Sequence, residues 1–252
     1  MEVISEEKPG AGNDIYTTIS ANDQISIYHL LEQELAGILA SKITEQNELD
    51  QSALKQSQLM IPVKDAYYQL INNNVLSKDH FTAEDAGTAE KQIAALFQEN
   101  KEAMLSQVEA ILMQDSGGEL SSLPQEMQGY MVYIYDYLLG KEGGIVNPED
   151  SRFKSSQALA SWKSDSISLH DFIKKGIEEG WIDTTKLDLS EEYSDSTQIY
   201  QLFVNKIMSF LREDSGFEKL LYKYAIANQK IKGNLLLMAL FEQNVLPQDA
   251  AS

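Results

Sequence analysis

The chain has 252 residues, no cysteine and a formal net charge of −19, from 39 acidic and 20 basic residues. The lack of thiols excludes disulfides, cysteine-bound zinc and cysteine nucleophiles, and the shortage of clustered lysine and arginine argues against binding to nucleic acid or to an anionic membrane. With 43% hydrophobic residues, the chain can bury a core without covalent cross-links.

Residues 1–21 are polar, include Pro9, Gly10 and Gly12, and lack apolar periodicity. This composition is typical of a disordered leader. The pattern of a signal peptide, a basic segment followed by an apolar one, is missing, and no run reaches the roughly 18 apolar residues of a membrane-spanning helix. We therefore expect no integral membrane segment, and a protein that is cytoplasmic or exported by a route that needs no signal peptide.

A long first helix is predicted to begin at Asn22 or Asp23. After Lys42 its apolar pattern thins, so the helix either ends there or continues to Met60 as a partly buried arm. The apolar residues that recur at helical spacing are Ile27, Tyr28, Leu31, Leu35, Ile38, Leu39 and Ile43.

Two further helices complete an N-terminal region, residues 22–118. Pro62 begins a short one, at the position that proline favours in a first turn, and a long one runs from Thr82 to about Gln114. The apolar residues of the long helix recur at intervals of three and four, which suits either a coiled coil or a simple bundle with the first helix. We therefore predict a long N-terminal helical hairpin.

Polar residues 115–124 separate this hairpin from a C-terminal helical region, residues 119–252, although the two parts can also form one continuous domain. No sustained strand pattern is found along the chain. The sequence thus predicts an all-α fold: a multi-helix bundle of about eight or nine helices, with the N-terminal hairpin packed on or beside a C-terminal helical core.

Capping and breaking residues mark the helices of the C-terminal region. One helix follows Pro124 and stops at Gly140, and Ser168 together with Asp171 is predicted to cap a later one. The strongest apolar periodicity in the chain lies in residues 196–246, which predicts core helices there.

Few groups in the sequence suit catalysis. Motifs for zinc proteases, phosphate-binding loops, EF-hands, dinucleotide binding and serine hydrolases are missing, and the three histidines lie in separate elements. Neither a metal site nor a cofactor is expected. The weak candidates for acid–base chemistry are His170 and the pair Glu178 and Glu179, with solvent exposure or a capping role as the simpler expectation for His170.

Tyrosine is the other notable residue type, with 12 in the chain. Its ring gives apolar contact area while its hydroxyl tolerates water, so clustered tyrosines are either enclosed in a core or present a surface to a partner. The candidates for contact with a protein partner are Tyr67, Tyr68, Tyr130, Tyr133, Tyr135, Tyr137, Tyr222 and Tyr224.

These features predict a non-enzymatic protein that binds other proteins in an assembly, scaffold or regulatory role, and its charge would attract a basic protein surface. The polar leader and strong acidity also suit a bacterial protein secreted without a signal peptide. One alternative is a small helical enzyme or ligand-binding protein with a pocket lined by Trp162 and Trp181. Another is an acidic intracellular inhibitor that mimics nucleic acid, which the interspersed lysines disfavour.

Overall fold

The computed structural model describes residues 20–44, 55, 58–114, 118–140, 144–186 and 196–245. Within these ranges the chain forms ten α-helices, short 3-10 helices and one pair of two-residue strands. This confirms the predicted all-α multi-helix fold. The predicted disordered leader lies almost entirely outside the described residues.

The helices have the following bounds in chain order: α1 (Ala21–Lys42), α2 (Val63–Asn72), α3 (Thr88–Met113), α4 (Gln125–Leu139), α5 (Ser151–Ser155), α6 (Gln157–Lys163), α7 (Leu169–Glu178), α8 (Ser196–Glu213), α9 (Ser215–Ala227) and α10 (Gly233–Glu242). The strands β1 (Ile43–Thr44) and β2 (Ile61–Pro62) pair in parallel, with Ile43 opposite Ile61. An isolated antiparallel bridge joins Val146 to Ile182.

Side-chain caps set several helix starts, as the sequence suggests. The Ser168 hydroxyl accepts a hydrogen bond from the Asp171 backbone N–H at 3.0 Å and begins α7, which confirms the predicted cap. Asp214 caps α9 in the same way, accepting from the Phe217 N–H at 2.6 Å. Because each cap satisfies an N–H that the helix leaves unpaired, the chain turns sharply between successive helices.

One start differs from the sequence expectation. The long helix begins at Thr88 rather than Thr82, because residues Lys78–Thr82 form a 3-10 helix of their own. Residues 151–163 form two short helices, because the Ser156 side chain caps a new helix at that point by accepting from the Ala158 N–H.

Helix α3 lies at the centre of the bundle. Its main packing neighbours are α10 and α8, and it also contacts α4, α7 and α9. The buried apolar residues of α2 and α3 and those of α4 to α10 form one hydrophobic cluster, from Ile71 to Leu240. Among the described residues, this cluster contains side chains from both sides of the predicted boundary at residues 115–124.

Helix α1 stands apart from this arrangement. None of its described side chains belongs to the hydrophobic cluster, and α3, its predicted partner in the N-terminal hairpin, packs chiefly against helices from the C-terminal region. The apolar face of α3 is therefore covered from within the bundle, whereas the described side chains of α1 are almost all exposed.

Candidate functional site

The four candidate tyrosines of α4 pack against aromatic rings of other helices. Tyr130 is buried, whereas Tyr133, Tyr135 and Tyr137 are half-buried. The Tyr133 hydroxyl donates a hydrogen bond to Asp214 Oδ2. Ring centroids lie 5.3 Å apart for Tyr130 and Phe217, 5.2 Å for Tyr135 and Trp162, and 3.7 Å for Tyr137 and Phe210.

The described candidate tyrosines on α2 and α9 also contact other side chains of the bundle. Tyr222 is buried, with its ring stacked 3.6 Å from that of Phe97, and Tyr224 meets Tyr130 edge-on at 5.4 Å. Tyr68 is half-buried, with Lys223 Nζ 5.7 Å from its ring centroid. Tyr67 belongs to α2, and its side chain lies outside what the structure describes. The described tyrosine rings thus supply packing area within the bundle, and their role as contacts for a protein partner stays a prediction.

Tyr130 carries a buried hydroxyl with no hydrogen-bond partner among the described residues, and burial raises its pKa. We expect Tyr130→Phe to raise the free energy of unfolding by about 1 kcal/mol, because the phenyl ring keeps the packing and removes the cost of burying the hydroxyl. Tyr200→Phe is the matched control: it should lower that free energy by about 1 kcal/mol, since Tyr200 donates to the Leu112 carbonyl at 2.5 Å. Urea unfolding measures both; equal losses would show that the Tyr130 hydroxyl does have a partner.

His170 lies in the core, so the expected exposure or capping role is wrong. Its side chain is 4% exposed, and Nδ1 donates to the Leu112 carbonyl at 2.8 Å. The ring also lies 4.5 Å from that of Tyr200. The histidine therefore ties the end of α3 to α7 and α8. A cavity of about 30 Å³ beside it holds roughly one water molecule, too little for a substrate.

Glu178 and Glu179 are exposed at the C-terminal end of α7. The Glu179 carboxylate accepts hydrogen bonds from the Ser156 hydroxyl and the Trp181 indole N–H, both at 2.8 Å, and so fastens the turn after α7 to α6. His170 is in the first turn of the same helix, about 12 Å away along its axis. The structure does not bring these weak candidates together as an acid–base pair.

An open groove of about 670 Å³ lies between residues 139–140 and 144–152 on one side and the turn after α7 on the other. Trp181 lines it, but Trp162, the other tryptophan of the predicted pocket, lies on Tyr135 instead. On the wall of the groove, Arg152 Nη2 is 2.7 Å from Asp150 Oδ2, and this hydrogen bond holds the pKa of Asp150 below its usual value. Because each charge is compensated by the other, the pair offers little attraction for an ionic ligand.

A buried carboxylate that the sequence did not single out joins three elements. Glu90, in the first turn of α3, is 1% exposed. Its Oε2 accepts from the Gly87 N–H at 2.7 Å, and its Oε1 lies 2.7 Å from His80 Nδ1 and 2.6 Å from Gln243 Nε2. Burial alone would raise the pKa of Glu90, but these hydrogen bonds lower it overall. The hydrogen bond to Glu90 in turn raises the pKa of His80.

The neighbouring Glu242, at the end of α10, caps α3 from the far end of the sequence. Its two carboxylate oxygens accept from the backbone N–H groups of Ala89 at 3.0 Å and Glu90 at 3.1 Å. A carboxylate suits this position because the N–H groups of a first turn and the helix dipole both favour negative charge. We call His80, Glu90, Glu242 and Gln243 the α3–α10 clasp. Glu90, at the third position of α3, reaches back to the Gly87 N–H, which is the half of a capping box that a glutamate supplies, but nothing local points to the two residues at the end of α10.

Helix α1 presents an apolar surface to solvent. Its described side chains are almost all exposed, and an added Cβ on Gly37 would meet nothing within 4 Å. The large apolar residues concerned are Ile25, Ile27, Tyr28, Leu30, Leu31 and Ile38, each between 55% and 60% exposed. We call this set the α1 stripe. The sequence showed that the apolar residues of α1 recur at helical spacing. This spacing alone does not reveal whether the surface that packs on them belongs to the same chain.

Comparison of the chain with protein-family models, curated proteins and solved structures found no match. Among the described residues, no three histidine or carboxylate side chains are grouped so as to hold a metal ion. None of the helices in the described ranges has both the length and the apolar character needed to cross a bilayer. Among the described residues, the α1 stripe is the feature that packing within the bundle does not explain.

Proposed function

We propose that the protein acts by binding another protein, and that the α1 stripe makes the contact. The observation that carries this proposal is the exposure of six large apolar side chains on one helix of 22 residues. Soluble domains rarely expose so many large apolar side chains on one helix, and exposed apolar surface of this extent commonly marks a site of association. A binding helix joined to a packed helical body suits an assembly, scaffold or regulatory component.

The polar groups of the bundle support a binding role more than a catalytic one. His170 donates a hydrogen bond to the Leu112 carbonyl, and Glu179 accepts hydrogen bonds from Ser156 and Trp181. The α3–α10 clasp connects α3 to α10. Each of these groups stabilises a contact between helices. The small cavity beside His170 also leaves no room there for a substrate.

The proposal is tested by the double variant Leu31→Glu with Ile38→Glu. Each glutamate removes apolar surface worth about 2 kcal/mol when buried and adds a charge that an apolar interface must desolvate. We expect proteins captured from extracts of the source organism by the wild-type chain to be bound at least 100-fold more weakly by the variant. Quantitative mass spectrometry of the captured proteins measures this.

Ser26→Glu is the control, because it adds one such charge at an exposed position of α1 that lies roughly 120° or more around the helix from Leu31 and Ile38. It should retain the captured proteins. Thermal unfolding of all three chains should be alike, since the substituted side chains are outside the core. Equal capture by the wild type and the double variant would contradict a binding role for the stripe.

A further inference from the structure

We propose that the partner of the α1 stripe is a basic amphipathic α-helix. This inference rests on the proposed function, since it names the chemistry of the protein segment that α1 would bind. It follows from two properties of α1: the spacing of its apolar residues and the sign of the charges that flank them.

The spacing favours a helical partner. Tyr28, Leu31, Leu35 and Ile38 follow one another at intervals of three, four and three residues, which is the a and d pattern of a coiled coil. Such a seam packs against another helix at about 20°, and the 22 residues of α1 give it a length of about 33 Å. A partner helix of about three heptads would therefore match the length of α1 and pack along this seam.

The charges favour a basic partner. The acidic residues of α1 are Asp23, Glu32 and Glu34, and its only lysine is Lys42 in the last turn. In the heptad set by Tyr28 and Leu31, Glu32 and Glu34 take the e and g positions between Leu31 and Leu35, where charged residues select a partner helix by charge, whereas Ile25 and Ile27 take the preceding e and g positions. The whole chain, at −19, adds a long-range attraction for a basic segment.

A second copy of the chain fits the stripe less well. In an antiparallel pair of α1 helices with Leu31 opposite Leu35, the two Glu34 residues occupy facing g positions and repel each other. In a parallel pair, Glu34 faces position 39 of the second copy, which is a leucine, so the carboxylate loses water without gaining a partner. Two chains of −19 also repel each other at a distance.

A membrane surface fits less well too. Helices that lie in a lipid interface carry lysine and arginine on their polar face, where they meet anionic headgroups. The polar face of α1 contains Asn22, Ser26, His29 and Gln33 instead, together with the acidic residues already named.

The experiment uses the full chain and three designed helical peptides of 21 residues. All carry leucine at every a and d position, and they differ only in having lysine, glutamine or glutamate at every e and g position. Fluorescence anisotropy at low salt should show the lysine peptide binding at least tenfold more tightly than the glutamine peptide, with the glutamate peptide weakest. The advantage of the lysine peptide should shrink at 0.5 M salt.

Variants of the chain identify the groups responsible. Glu34→Lys should cut the preference for the lysine peptide severalfold, whereas Glu99→Lys, an equal charge change at an exposed site on α3, should leave it almost unchanged. Leu31→Glu should weaken binding of all peptides. These results would locate both the apolar contact and the charge selection on α1.

Four outcomes would overturn the inference. Equal, salt-independent binding of the lysine and glutamine peptides would leave the proposed function intact but remove charge selection. If sedimentation shows a dimer that Leu31→Glu abolishes, the partner of the stripe is a second copy of the chain. Binding of the chain to phosphatidylcholine or phosphatidylglycerol vesicles, if it depends on Leu31, would show that the partner of the stripe is a lipid surface. Failure of all three peptides to bind a monomeric chain would contradict the proposed function as well.

Discussion

Replacing Phe172 by alanine is expected to lower the free energy of unfolding by about 4 kcal/mol, the typical cost of deleting a fully buried phenyl ring. Phe172 is 0% exposed, and its ring lies 5.4 Å from that of Tyr135, 5.9 Å from Trp162 and 5.1 Å from Trp181. Deleting it removes contacts on three sides. The surroundings have little freedom to collapse, since Trp181 lies so close over Gly176 that an added Cβ would come within 2.5 Å of its ring.

The chain contains its own probe for this measurement. Its only two tryptophans, Trp162 and Trp181, both contact Phe172, so tryptophan fluorescence during denaturant unfolding reports on this cluster directly. Phe172→Leu should cost about 1 kcal/mol because it keeps most of the apolar volume, and it remains informative if the alanine variant does not fold. Val132→Ala, at a side chain 41% exposed, should cost less than about 0.5 kcal/mol. A loss of less than 1 kcal/mol for Phe172→Ala would contradict tight packing of the cluster.

Helices whose limits are set by local residues were predictable from the sequence. Helix α4 was expected between Pro124 and Gly140 and extends from Gln125 to Leu139. Proline lacks the N–H that a helix interior needs, and the residue that precedes it avoids the helical region, so a boundary near it is encoded within a few residues. The Ser168 cap of α7 was predictable for a similar reason, because the hydroxyl and the N–H that it accepts from are three residues apart.

Features that depend on distant residues were not predictable. The burial of His170 depends on the Leu112 carbonyl, 58 positions away, and the start of α3 depends on Glu242, about 150 positions away. A single sequence carries no sign of such pairings. The candidate tyrosines illustrate the same limit, because periodicity places Tyr130 on a helix face without showing that Phe217 and Tyr224 cover it.

For helix α1, the packing predicted from the apolar pattern of the sequence differs from the packing in the structure. Its apolar period was recognised, and α3 was expected to cover it in a hairpin. The apolar face of α3 is instead occupied by α8 and α10, so that the α1 stripe is left facing solvent.

The substitution Glu90→Gln is expected to lower the free energy of unfolding by about 3 kcal/mol, although it only replaces one carboxylate oxygen by an NH₂ group. In the native protein both carboxylate oxygens receive hydrogen bonds, from His80, Gly87 and Gln243. An amide offers one oxygen and one NH₂ group, so in either orientation at least one of these donors faces another donor. A buried donor left unsatisfied, together with the loss of a charge-assisted hydrogen bond, has a cost of this size.

Glu99→Gln is the matched control, since it makes the same chemical change at an exposed position of α3 and should alter stability by less than about 0.5 kcal/mol. Chemical unfolding at a fixed pH near 6 compares the three chains. Similar stability of the wild type and Glu90→Gln would show that the carboxylate is not the centre of the clasp.

The pH dependence of this difference follows from the two pKa shifts. The pKa of Glu90 is lowered from 4.5, so its stabilisation is present above about pH 4.5 and is lost as the pH falls through its folded value. The pKa of His80 is raised from 6.5, so its stabilisation is complete below about pH 6.5 and is lost as the pH rises through its folded value. Asp85, whose Oδ1 lies 3.5 Å from His80 Nε2, acts in the same direction.

The gap in stability between the wild type and Glu90→Gln should therefore be widest between about pH 4.5 and pH 6.5 and should narrow on both sides. Denaturant titrations from pH 3.5 to pH 8.5 measure it. His80→Ala introduced into both chains should abolish the narrowing on the alkaline side while leaving the acid side, because the hydrogen bonds from Gly87 and Gln243 to Glu90 remain. A gap that stays constant across the whole range would mean that neither group changes its ionisation on folding, and that the clasp holds α3 and α10 together by hydrogen-bond geometry alone.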